Sequence, residues 1–595
     1  MAQYNIYSKH KELIMPAKPS GKIKTSIIHK PQKNGDIYVL ERKTKYDPEK
    51  KYTRVLSTKL ISKIPKDSKI PVPTRPKRRK TNDSAEKSEI VSAKRMHVGM
   101  MDIIDHIGTV SGIDDAIYAS TDIGTAQKII SLARYLLATN GQSLPGIQTW
   151  QYNHHLPYED GITEDIYHNL FVQIGNDESL QQNFFRKRCE SLSPSDALAY
   201  DSSTISTYSE NQSEARYGFN KAHDGLKTIK LLTLYSIDSR QPIAFTKQPG
   251  NLPDVTSVTN AIKELSALGV KTTEIITDNG YYSEQNFSEL LQAGFDFITL
   301  AKTNIKWIRP EIDKQMEALN DFKSVCPFDN STHGVSVLLM HDFEKTRKYT
   351  NHKNGAEKGS VEIFTRRIYL NIYFNHSRQC ADKIAFESNL FELKTLVEAG
   401  TPIDELSPSA QQKIKKYFTI KKWGSKITAV PNNKAIQEAN KYHGYFVLVS
   451  NKEKDPFECL RKYRKRETIE SFFEAEKQHA DGSRVRVWNT DTLRGRMFVQ
   501  FVSLCYYEYL SEELRKLKAV LGNEIGDAEH DTKNNIANEL KLKSWLCNTP
   551  LYLQLQWFDT VESVDISSKL KNKRWTTEIT SRDALYLEKL GVSIR

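Results

Sequence analysis

The sequence predicts an α/β core that is split by a mainly β insertion and preceded by a helical region. Three observations lead there. From about residue 196 to 302, short apolar runs alternate with helically spaced ones. That rhythm breaks over 303–440 and resumes at Tyr445. Two of the apolar runs end in an aspartate, so carboxylates fall at strand ends. At 595 residues the chain is too long for one core, and about three to five domains are expected.

Taken in order, residues 1–95 form a basic arm. DIYVLER and TRVLSTKLI suggest a small hairpin-rich unit, and Pro65, Pro71, Pro73 and Pro76 mark a linker reaching to about 95. Over 96–195 the spacing is helical: Ala126, Ile129, Ile130, Ala133, Leu136 and Leu137 recur at offsets of three and four. Helices so placed are candidates for DNA binding, although plain packing gives the same periodicity.

In the first core segment, 196–302, the strand Ala197 to Tyr200 leads into Asp201. Ile229 to Ile237 and Pro242 to Phe245 follow as strands, and Val255 to Leu268 as a helix. Glu274 to Thr277 is a strand ending at Asp278, with Glu284 to Ala293 helical and Phe295 to Ala301 a strand. The insertion, 303–440, holds VSVLLMHDF, SVEIFTRRIYLNIYF and the Lys-rich QQKIKKYFTIKKWGSK. The second core segment, 441–517, contains the strand Tyr445 to Val449 and a helix from about Pro456 to Lys477. A strongly apolar helix, Leu493 to Leu517, follows, and 518–595 is a candidate for oligomerisation or DNA contact.

Composition narrows the function classes. No apolar run reaches the ~18 residues of a membrane span, and the longest, Phe498 to Leu510, reads as a buried helix. The start, MAQYNIYSKHKELIM, lacks the apolar core of a secretory signal. Six scattered cysteines with no CxxC pair argue against a zinc site and a disulfide framework, and for a cytoplasmic protein. The net charge of +13 is unevenly placed: residues 1–100 carry 25 Lys and Arg against 9 Asp and Glu. Such a stretch, densest at PTRPKRRK, is either a solvated tail or a phosphate-binding arm that gains affinity by releasing counterions.

Three acids stand out by placement: Asp201 in ALAYDSSTIS, Asp278 in EIITDNGYYSE, where Asn279-Gly280 favours an exposing turn, and Glu470 in YRKRETIESFFEAEK. Together they supply hard oxygen donors of the kind that hold two Mg²⁺ ions ~4 Å apart in phosphodiester chemistry. Singly, each is equally a turn former or a residue of a solvated face. On a helix, Tyr463, Arg466, Glu470 and Lys477 project at roughly 0°, 300°, 340° and 320°, one stripe. A surface ladder built on the i,i+4 pair Arg466–Glu470 is the simpler reading of that stripe.

These motifs resemble the DDE transposases of bacterial insertion sequences, the group with a β-rich insertion and the signature Y-x2-R-x3-E-x6-K. Tyr463, Arg466, Glu470 and Lys477 match it at every position, and YDSSTIS, PGNLPD, TDNGYYS and RVRVWNTDTLRGRMFVQF fall in the family's order over about residues 100–520. The resemblance implies an RNase H-like core with Asp201, Asp278 and Glu470 as catalytic metal ligands for two Mg²⁺ (or Mn²⁺) ions. It implies DNA contacts from Tyr463, Arg466 and Lys477, and a homodimer that synapses terminal inverted repeats and joins them to target DNA. The reaction it implies is cut-and-paste through hairpin ends. Two departures concern Arg496, where the family often has His, and Trp488, where it is more often polar. Trp307 and Trp423 are candidates to stack on a flipped base. The alternatives are a transposase-derived DNA-binding protein and an RNase H-like nuclease without strand joining.

Overall fold

The structure, a computed structural model, describes residues 23–47, 52–66, 71–73, 93–193, 196–218, 220, 224–270, 273–346, 359–424, 426–479, 487, 489–522, 531–566 and 574–594. Most of PTRPKRRK, the rest of the linker to residue 92, and Trp488 lie outside the described residues. The chain forms two compact units, 1–90 and 91–595.

The first unit is an antiparallel sheet of Lys24–Pro31, Ile37–Asp47, Tyr52–Ile64 and Val72–Pro73. Its first turn is fixed by the buried Asp36, which accepts from Lys66 N at 3.2 Å and pairs with Lys63 Nζ at 2.7 Å.

The second unit is built around a nine-stranded mixed sheet. Ala197–Thr207, Lys227–Ser236 and Gln241–Pro249 form an antiparallel meander, the last two strands joined by a short turn as antiparallel pairing allows. On the other side of Ala197–Thr207 the chain adds Glu274–Thr277 and Asp296–Ala301, both parallel. Each of these two arrives through a crossover helix, Val258–Ala267 and Glu284–Ala293, which parallel pairing requires. The sheet then continues antiparallel through Tyr445–Ser450, Val361–Asn375, Asp329–Thr346 and Val325–Cys326.

The segment 303–440 therefore differs from the mainly β insertion expected. Its long strands belong to the main sheet. The remainder is a satellite with the helices His376–Glu398, Pro408–Tyr417 and Asn433–Asn440 and the hairpin Phe418–Trp423/Lys426–Pro431. The satellite has its own small core of Leu390, Leu393, Val397, Ile414, Tyr417, Phe418 and Ala429. Its first helix starts where Asn375 caps it, accepting from Arg378 N at 2.7 Å. The two ends of the satellite meet, with Asn375 N donating to Gly444 O at 2.9 Å.

The helical stretch before the sheet runs from Gly99–Val110 through Ile113–Ser120, Ile123–Ala138 and Glu164–Asn176 to Glu178–Glu190. The apolar stripe from Ala126 to Leu137 is buried, and it packs into the same core as the sheet. The long helix Thr490–Val520 binds the two together. It crosses Glu164–Asn176 in backbone contact: a Cβ on Gly175 would lie 2.0 Å from Asp491 O, and one on Gly495 2.1 Å from Phe171 O. Phe498 meets Phe184 edge-on at 5.3 Å and Phe501 meets Phe185 at 5.7 Å, pairs worth ~0.5–1.5 kcal/mol each beyond burial. Among the described residues no helix is long and apolar enough to cross a membrane.

Candidate active site

Asp201 and Asp278 owe their proximity to strand register. Ala197, Leu198 and Ala199 pair in parallel with Glu274, Ile275 and Ile276. Continued by two residues, that register sets Asp201 beside Asp278, at a strand spacing of about 5 Å. Asp201 lies within its strand rather than after it, because the partner Lys227–Ser236 carries the pairing on to Thr207. Asp278 ends its strand and caps the turn that follows, accepting from Asn279 N at 2.6 Å.

The third acid comes from a helix that is broken. In place of one helix from Pro456 to Lys477 there are two, Pro456–Lys465 and Glu467–His479, meeting at Arg466. At the junction the hydrogen bonds tighten to three-residue spacing, Arg466 N to Tyr463 O and Ile469 N to Arg466 O, both 3.0 Å. Arg466 is thereby buried, with 6% of its surface exposed, instead of standing on an outward stripe. Its guanidinium forks between Asp201 Oδ2 at 2.9 Å and Glu470 Oε1 at 3.0 Å. Tyr463 Oη donates to Asp278 Oδ1 at 3.2 Å. Arg466 and Tyr463 thus gather the three acids, which arrive from two strands and one helix.

The electrostatics follow from that convergence. Burial works against the Arg466 charge, yet Tyr463, Asp201, Asp278 and Glu470 together hold its pKa above the ordinary value. Burial, then the Asp278 carboxylate, pushes the Tyr463 phenol well up, so it stays a donor at neutral pH. Lys477 is not part of the cluster. It is exposed, seven residues and so about 10 Å along the helix from Glu470.

A fourth acid, Asp254 of PGNLPD, borders the site, although the sequence pattern does not single it out. It accepts from Ser202 Oγ at 3.0 Å and from Lys230 Nζ at 2.7 Å. Burial, then the charges of Asp201 and Asp254, raises the pKa of Tyr281 far above its usual value. An acid ending a Pro-rich turn looks like any turn former, so its place in the PGNLPD motif is the signal the sequence offers.

Of the two tryptophans, Trp307 is occupied: its Nε1 donates to Glu284 at 3.1 Å and its ring lies 4.4 Å from His341. Trp423 stands at the tip of the satellite hairpin, 77% exposed. Arg496 is buried in the long helix. Next to Asn279 opens a cleft of about 680 Å³ whose walls carry Lys302, Arg309, Arg378 and Lys416.

The donor set fits hard divalent cations: three carboxylates, with no imidazole or thiolate among them. Among the described residues Arg466 is the cation that bonds two of the three acids.

The comparisons with known proteins bear on the same residues. No curated protein matches the chain. Among solved structures, a piggyBac transposase synaptic complex with hairpin DNA aligns over 83% of this chain and 82% of that one, at 10% identity and a TM-score of 0.32. That likeness is too distant to support a statement about this chain. The family model described as the transposase DDE domain matches residues 192–506, more than half of the chain and all three acids. Members of that family generally use divalent metal ions, in keeping with the donor set. The chain belongs to the DDE-domain family of DNA transposases.

Proposed function

We propose that the chain is a cut-and-paste transposase of the bacterial insertion-sequence type, acting in the cytoplasm with Asp201, Asp278 and Glu470 as its catalytic acids. The observation that carries this reading is the fork of Arg466 between Asp201 and Glu470, with Tyr463 on Asp278. Asp201 and Asp278, distant in sequence, thereby share one site with Tyr463, Arg466 and Glu470. The core is read as RNase H-like because three antiparallel strands are followed by two parallel ones placed against the first.

Held by the three carboxylates, two Mg²⁺ or Mn²⁺ ions supply Lewis acidity to the attacking and leaving oxygens. Tyr463 and Arg466 keep the acids in place and stand next to the scissile phosphate. Lys477, exposed beyond them, contacts the DNA backbone. In the proposed sequence, water attacks phosphorus at each transposon end and releases a 3′-OH. That oxygen attacks the opposite strand, giving a hairpin that a second water reopens. The 3′-OH then attacks target DNA, and each step is an in-line displacement. Two copies of the chain synapse the two terminal repeats, and the basic N-terminal arm and the helices of 96–195 add DNA contacts.

Supplying a pre-cut end, target DNA and Mg²⁺ tests the reading. Joined products are expected. Cut DNA without joining would make the protein a nuclease, and binding without either would leave only a DNA-binding role.

A further inference from the structure

Far along the chain from the three acids, two histidines and an aspartate from three separate segments meet. His97 ends the strand Ala93–His97, His154 follows the short helix Ile147–Trp150, and Asp559 caps the helix Leu551–Phe558. One ligand atom from each lies within 4.8 Å of the others. His154 is buried and the other two are half-buried.

The hydrogen bonds fix the tautomer of each ring. His154 Nδ1 sits 2.8 Å from Trp150 O, and His97 Nδ1 sits 2.6 Å from Asp559 O. A carbonyl can only accept, so both Nδ1 atoms carry the proton. In the neutral rings both Nε2 atoms are then lone pairs. His154 Nε2 nevertheless faces Asp559 Oδ1 at 2.9 Å, a lone pair against a carboxylate oxygen. His97 Nδ1 also lies 3.6 Å from Asp559 Oδ1, and its Nε2 lies 3.8 Å from Oε1 of Glu562, its direct cross-strand partner, which Arg95 also pairs with. The 2.9 Å contact of His154 Nε2 with Asp559 needs a positive charge between the two atoms, either a second proton or a metal ion. Imidazoles whose Nδ1–H is held by a backbone carbonyl while Nε2 points at a carboxylate have the outer-shell arrangement of metal-binding histidines.

We propose that His97, His154 and Asp559 form a structural site for a borderline divalent transition metal such as Zn²⁺. Two imidazoles with carboxylate oxygens suit Zn²⁺ and its neighbours and disfavour Mg²⁺, which takes oxygen ligands alone. The bound ion fastens the C-terminal segment to the strand that opens the second unit. No short sequence spacing announces the site, because Asp559 lies 405 residues after His154 and 462 after His97.

The test uses the full-length protein in excess Mg²⁺, which occupies all-carboxylate sites. Titration with Co²⁺ is followed by visible absorption and melting temperature. Expected are the ligand-field bands of tetrahedral Co²⁺ saturating at a single equivalent, a rise in melting temperature, and loss of the bands on adding Zn²⁺. His154→Gln and Asp559→Asn should lose the bands and the rise, while Glu470→Gln keeps both. If His154→Gln does not fold, the half-exposed His97→Gln serves in its place. Absence of the bands in the wild type, or bands unchanged in these variants, overturns the proposal. So does a His154-dependent loss of stability through the imidazole titration range with no metal bound, which would make the contact a protonated ion pair.

Discussion

Arg466→Ala removes the group on which two of the three acids converge. The Asp201 arm of the fork joins side chains only 8% and 15% exposed, at 2.9 Å. Breaking a buried pair costs ~3–5 kcal/mol. Asp201 keeps its 2.7 Å bond from Ser202 N, so the lower end of that range applies. The Glu470 arm joins a side chain 59% exposed, where solvent screening leaves at most ~0.5 kcal/mol. The expected loss is therefore about 3 kcal/mol, a drop of several degrees in melting temperature. Mg²⁺ should restore more stability to the variant than to the wild type, because the three carboxylates have lost their counter-charge. For catalysis, acids displaced by about 1 Å cost on the order of a hundredfold in rate. Single-turnover nicking of a labelled end, read beside thermal melting on the same samples, tests both. Arg466→Lys should recover part of the stability and little of the rate, since a point charge cannot span both carboxylates. A lowered melting temperature with wild-type nicking would refute the argument and reduce Arg466 to a salt-bridge partner.

Asp201→Ala, Asp278→Ala and Glu470→Gln should each abolish nicking with end binding largely intact in gel shifts; near-normal cleavage by any of them in Mg²⁺ would remove that residue from the metal site. Lys477→Ala should slow cleavage and leave melting unchanged, since the side chain is exposed; an unaltered rate would make it a solvated lysine. Deleting residues 1–90 should weaken DNA binding and lower the log–log salt slope by about 0.9 for each phosphate the arm neutralises, and an unchanged slope would show the arm to be a tail. The deletion stops there because Ala93–His97 pairs with Glu562–Ile566. Burial pushes the Glu476 carboxyl up to about 8 from 4.5, against the pull of Lys477. Between those values the folded protein holds a proton that the unfolded chain has released, so stability should fall as pH rises across this window. Glu476→Gln should flatten the fall in melting temperature, and an undiminished fall would exclude Glu476 as its source.

The core strands are legible in the sequence because each contains an apolar run, and Asp201 and Asp278 are conspicuous where two of those runs end, although the strand of Asp201 continues beyond it. What brings the two together is not legible, because parallel register between distant segments leaves no local trace. A stripe through Tyr463 and Arg466 presupposes an unbroken helix; the tight junction at 466 turns the arginine inward, from an outward stripe to the centre of the acids. Within the insertion, VSVLLMHDF and SVEIFTRRIYLNIYF show strand alternation. The helix His376–Glu398 leaves no comparable mark because its apolar residues lie on several sides. Leu390, Leu393 and Val397 are buried, but Ile384, Phe391 and Leu396 are exposed, so no single stripe identifies it.

The hydrogen bond from Asn375 to Gly444 gives the satellite a closed neck, and the strands on either side of that neck, ending at Phe374 and beginning at Tyr445, are already paired. The sheet would meet across a tight turn if everything between were absent. The satellite is thus a cassette hung on a closed neck: a change in its length need not change the register of the strands that carry the acids. The ribbon Asp329–Thr346/Val361–Asn375 has no such licence, because removing it would bare the edge of Tyr445–Ser450.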